Sequence, residues 1–166
     1  AASDVYKRQR IGKFLLGLVI SLTVIGAINI GTVEAKNTLN LGVMDKFNYN
    51  SQSKILRLDG WHAVNVGTFG SSQKYYHYIF LMDASNGAEL TRMRVDFYNR
   101  DDVVAHCKNG YGTDVYRDNG FSLGIGSLEK YKNKTIYIKS RYTSDPHGDS
   151  FGYSCVDFNF SNRVKI

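Results

Sequence analysis

The sequence predicts an all-β protein, a single antiparallel β-sandwich of about seven strands. Three observations predict it. Tyr and Phe are abundant, twelve and nine in 166 residues. Apolar side chains recur mostly with period two, the spacing that places alternate residues on one face of a strand. Turn residues separate these runs at regular intervals, as they do in sheets stacked face to face. A barrel is the architectural alternative.

The elements follow in order. A first strand is expected over 39–49. From 54 to 60, Leu56 and Leu58 fall on one side while Ile55, Arg57 and Asp59 fall on the other. Trp61, the only tryptophan, follows Gly60 at the end of that run and suits a core anchor better than a ligand platform. Residues 74–85 form a long aromatic and β-branched run ending at Asn86-Gly87, a pair that tolerates the positive φ of a tight hairpin turn. Leu90, Met93, Val95 and Phe97 then offer apolar side chains on the returning strand, 88–98. One helical turn is expected over 101–106 and another over 127–131. Residues 121–125 alternate. Residues 135–142 place Ile136, Ile138, Ser140 and Tyr142 on one face and Tyr137, Lys139 and Arg141 on the other. Residues 151–160 close the series.

The ends of the chain set its organisation. Asp4-Val5-Tyr6-Lys7-Arg8-Gln9 resembles the translation of a sequencing-library adapter, so 1–9 are read as a scar outside the fold. Residues 10–35 read as a signal peptide: a basic patch at Arg10 and Lys13, an apolar run over 14–30, then Val33-Glu34-Ala35 with cleavage after Ala35. A retained membrane anchor is the competing reading. The run is 17 residues, at the lower edge of a bilayer span, and carries Gly17, Gly26 and Asn29. The domain proper is then 36–166, and the expected location is extracellular or cell-wall associated, touching a membrane only through an uncleaved leader.

Residues 1–35 hold four of the 21 Lys and Arg and two of the 15 Asp and Glu, leaving 17 basic and 13 acidic side chains, net +4. This mild, dispersed excess suits loose contact with anionic envelope polymers and falls short of a nucleic-acid footprint. Cys107 and Cys155 stand 48 positions apart. Outside the cell they are expected to pair, closing a loop worth on the order of 4 kcal/mol; two buried free thiols are the alternative. A nucleophilic Cys107 is disfavoured, because a neighbour such as His106 points to the opposite face of a strand.

His62, His77, His106 and His147 have no spacing that sets two on one metal, and His62 and His77 read as structural; no metal or other cofactor is expected. Asp145, His147 and Asp149 alternate in a loop that lacks the spacing of a calcium-binding hand and reads as a polar turn. The tyrosines are too many to bury in one small domain. An exposed row of them, with Tyr75, Tyr137, Arg141 and Tyr153 as candidate binding residues, suits sugar rings or a protein surface.

Gly60-Trp61-His62-Ala63, Tyr76-His77-Tyr78-Ile79-Phe80-Leu81-Met82-Asp83-Ala84, Arg100-Asp101-Asp102-Val103, Gly120-Phe121 and Ser140-Arg141-Tyr142-Thr143 occur in that order. The pattern resembles a family of extracellular β-sandwich modules in secreted and surface proteins of Gram-positive bacteria, often repeated beside cell-wall hydrolase domains. The resemblance implies an Ig-like sandwich acting as a non-catalytic accessory or binding module on cell-wall polysaccharide or a surface protein. The two cysteines depart from that family. They leave room for a small secreted enzyme or inhibitor working through disulfide-linked loops 101–117 and 145–153.

Overall fold

The computed structural model describes residues 39–69 and 74–166. The expected scar and signal peptide, 1–35, lie outside them. Among the described residues no helix is long and apolar enough to cross a membrane.

Among the described residues, nine strands form two antiparallel sheets. Sheet one runs β1 (Asn40–Asn50), β2 (Ile55–Val64), β6 (Asp118–Ile125), β5 (Tyr98–Asn99). Sheet two runs β4 (Glu89–Arg94), β3 (Tyr76–Asp83), β7 (Thr135–Thr143), β8 (Cys155–Asn159), and β9 (Val164–Lys165) also pairs with β7. This is the strand order of an immunoglobulin sandwich with one extra strand beside the third. The two strands beyond the seven expected, β5 and β9, are two-residue edges too short for any periodicity to announce.

The predicted alternation maps onto the core. Leu56 and Leu58 of β2, Ile79 and Leu81 of β3, Phe121 of β6, and Ile136, Ile138 and Tyr142 of β7 are fully buried between the sheets. Burial of each such side chain stabilises by about 1.5–3 kcal/mol, which fixes the register because a one-residue slip would turn the set outward. The β3–β4 hairpin turns at Asn86-Gly87, with a bulge between Leu81 and Met82.

Both outer faces carry cover. Residues 101–106 are more than one turn: α1 spans Asp101–Tyr111, opens with Asp101 and Asp102 in its first turn and ends at Gly112 in the left-handed region. Val103 and Cys107, four apart, place one stripe of α1 against Ala63 and Val115, with Trp61 and Leu39 packed alongside. Trp61 thus anchors a small second cluster on the outer face of sheet one, half-buried rather than central. A 3₁₀ turn at Glu129–Tyr131 fulfils the second expectation of helix.

On sheet two, Tyr78, Phe80 and Met82 point away from the main core and are nevertheless buried. Phe80 lies under three cations, with Lys139 Nζ 4.2 Å, Arg141 4.9 Å and Arg92 5.0 Å from its ring. The 144–154 loop covers Tyr78, whose hydroxyl donates to the Pro146 carbonyl at 2.5 Å. Gly148 has φ +85°, and a Cβ there would stand 2.9 Å from the Tyr78 ring, so only glycine fits.

At one lateral edge β1 meets β8, where Asn40 Nδ2 donates to the Asp157 carbonyl at 2.9 Å. At the other, the chain crosses from β4 to β5 through Val95–Phe97, closing the core between the sheets.

Candidate functional site

The expected disulfide is absent: Cys107 and Cys155 are both free. Cys107 is wholly buried on the inner stripe of α1, covering the outer face of sheet one. Cys155 starts β8 in the other sheet, opposite Thr143. Burial raises the Cys107 thiol pKa, the reverse of what a nucleophile requires. The two segments that a bridge was to join cover opposite outer faces of the sandwich, α1 on sheet one and the 144–154 loop on sheet two.

The four tyrosine and arginine candidates are likewise dispersed. Arg141 is 6% exposed and committed, donating to both carboxylate oxygens of Asp157 at 2.5 and 2.6 Å and to the Gly148 carbonyl at 2.8 Å. It holds the 144–154 loop down on the sheet. Tyr137 is half-buried on the same outer face, beneath the Arg163 guanidinium at 4.3 Å. Tyr153 is exposed within the loop. Tyr75 stands elsewhere, in a recess that brings together groups from three chain segments.

That recess, of about 170 Å³, opens beside the crossover from β4 to β5. Tyr75, just before β3, and His77 within it reach the recess with Arg94 from the end of β4, Asp96 from the crossover, and Asp118 from the first residue of β6. The period-two geometry of the chain puts Tyr75 and His77 on one side and turns Tyr76 to the other, where Lys74 and Arg94 sit 5.3 and 4.5 Å from its ring. The inner wall is aromatic: His77 stacks on Phe97 with centroids 4.2 Å apart and meets Tyr142 edge-on at 4.3 Å. Tyr116 packs on Tyr75 at 4.5 Å. Tyr142 is locked by donating to the His62 and Asp118 carbonyls at 2.8 and 3.0 Å.

The polar groups of the recess differ from those of an ordinary surface. Tyr75 donates its hydroxyl to Asp118 Oδ1 at 3.0 Å. Asp118 Oδ2 lies 3.7 Å from His77 Nε2, too far for a hydrogen bond. His77 Nε2 is buried and has no hydrogen-bond partner among the described residues. Burial, reinforced by the Arg94 guanidinium, lowers the His77 pKa to about 3 despite the nearby carboxylate, so the ring is neutral. Burial raises the Asp118 pKa, and the same burial together with Asp118 raises that of the Tyr75 phenol.

Desolvated, shifted groups converging on a concavity are the physical signature of a binding site. Two larger clefts lack it. One, of about 300 Å³ between β1 and the 158–162 segment, has no ionisable side chain in its wall. The other, also about 300 Å³, is rimmed by exposed Lys54, Glu129 and Lys132.

No family model, curated protein or solved structure matches the chain.

Of the recess, sequence reasoning picked out Tyr75 and missed Asp118, Arg94 and Asp96. It treated both His62 and His77 as satisfied structural histidines, which is true of His62 and not of His77. His62 Nε2 lies 2.8 Å from Asn40 Oδ1, and its Nδ1 2.9 Å from Ser140 Oγ. Only the shared parity of Tyr75 and His77 signalled the site; Asp118 reaches it by β6 pairing far along the chain.

Proposed function

We propose that this chain is a non-catalytic binding module, secreted and docking on a cell-envelope glycan through the recess at Tyr75, His77 and Asp118. One observation carries the reading: a neutral imidazole nitrogen, buried and without a partner, beside a desolvated carboxylate and a tyrosine hydroxyl in an open concavity. A buried polar group left unsatisfied costs the fold about 1–3 kcal/mol, which a ligand able to hydrogen-bond with it offsets. The basic, apolar and polar order of residues 10–35 supports export, and the resemblance to extracellular sandwich modules supports an envelope ligand. The Lys74 and Arg94 cations at the rim suit the anionic polymers of such a surface.

The test is co-sedimentation of the full chain, kept in solution with mild detergent, with purified bacterial cell walls. The chain is expected to sediment with walls and to be released by soluble wall glycan. Failure to sediment with walls of several compositions would remove the reading.

A further inference from the structure

Resting on that reading, the recess can be assigned a ligand class. We infer that it takes one neutral, polyhydroxylated ring, a terminal sugar of the glycan, held between Asp118 and His77 with Arg94 at the rim.

Size is the first argument. About 170 Å³ is well below the 300–1,000 Å³ of sites that enclose drug-sized ligands, and it accommodates a single ring. A continuous chain needs a longer groove, so the ring is an end.

The balance of donors and acceptors is the second. Asp118 and Asp96 accept, Arg94 donates from the rim, and the neutral imidazole of His77 offers one unused nitrogen. A hydroxyl both donates and accepts, so neighbouring hydroxyls on a ring can serve this mixed wall. A phosphate or carboxylate accepts only and would face two carboxylates. An ammonium donates only and would face Arg94, with Lys74 at the rim. Either ion meets a like charge; a neutral polyol meets none.

Rigidity is the third. Tyr75 Oη fixes one oxygen of Asp118, leaving the second aimed toward His77. Phe97 and Tyr142 clamp the imidazole on two sides. The groups are therefore held before a ligand arrives, which reduces the ordering cost of binding.

The experiment is a titration by NMR of the full chain with methyl glycosides of glucose, galactose, rhamnose, N-acetylglucosamine and N-acetylgalactosamine. Glucuronic acid and glucosamine serve as charged counterparts. At least one neutral glycoside is expected to move the His77 imidazole nitrogens and to bind more tightly than either charged ring. Asp118→Asn and Tyr75→Phe keep the shape of the recess and are expected to weaken that binding at least about tenfold, the loss of roughly one charge-assisted hydrogen bond. Unchanged thermal unfolding of these variants establishes that they fold. The assignment is overturned if no neutral glycoside shifts His77, if a charged ring binds best, or if both variants bind as the parent does. Should the variants lose glycoside binding and still sediment with walls, docking on walls stands and its route through the recess falls.

Discussion

At the scale of the residue, the two buried histidines show how the same burial yields different roles. The amide of Asn40 is oriented by donation from its Nδ2 to the Asp157 carbonyl, so its Oδ1 must accept from His62 Nε2. His62 Nδ1 is then an acceptor for the Ser140 hydroxyl, which fixes the tautomer. Both ring nitrogens are satisfied; His77 leaves one open. Burial lowers the pKa of both rings to about 3 from an ordinary value of 6.5. The unfolded chain therefore takes up these two protons below pH 6.5 while the folded chain refuses them. Their stabilising contribution is complete above pH 6.5 and declines as pH falls toward 3, by about 1.4 kcal/mol per pH unit for each histidine. Asp118 acts in the opposite sense, since its raised folded pKa means that protonation on folding is favourable. Urea unfolding of the Asp118→Asn variant between pH 6.5 and 5, where exposed carboxylates remain ionised, isolates the histidines. A flat profile there would show that His62 and His77 are not held neutral.

At the scale of the element, the alternating strands were legible and their covers were not. Leu56, Leu58, Ile136 and Ile138 sit where their parity placed them. β3 reads as an unbroken apolar run because both of its faces are buried, and nothing in the run tells which residues face the opposite sheet and which the Arg141-pinned loop. The helix was shortened for a related reason: its buried stripe is only Val103 and Cys107, too sparse to establish a 3.6 period. The loop over Tyr78 depends on two residues. Arg141→Ala, which leaves the part-exposed Asp157 with only Lys139 at 3.7 Å and frees the Gly148 carbonyl, is expected to cost about 2 kcal/mol. Gly148→Ala is expected to cost about 2 kcal/mol from positive φ, with a further penalty from the Tyr78 ring. Chemical denaturation with accelerated proteolysis within 144–154 reports both; unchanged stability in either variant would mean that the loop is not anchored there.

At the scale of the whole molecule, the sandwich needs no covalent staple. Two free cysteines, Cys107 under α1 on sheet one and Cys155 at the start of β8 in sheet two, leave packing to supply the stability. Thermal unfolding is expected to be indifferent to reductant, and thiol titration of the unfolded chain to count two reactive groups without prior reduction. A melting temperature that drops in reductant would restore the bridge. The two-sheet sandwich could be expected from seven alternating runs, because antiparallel strands with one buried face stack in few ways. The recess could not, since Tyr75, Arg94 and Asp118 become neighbours only when β3, the crossover and β6 assemble. Sequence patterns record which side of a strand a residue takes, and they are silent about which distant strand arrives beside it.

The two flanks of the sandwich are unlike. Asn40 begins the fold where β1 is fastened to β8, whereas the recess lies by the passage from β4 to β5 on the far flank. Both nevertheless lie at one end of the sandwich: Asn40 pairs with Val64, whose carbonyl accepts from Tyr116 N at 3.1 Å, and Tyr116 packs on Tyr75. A polymer tip seated in the hollow would therefore approach the same end at which β1 begins.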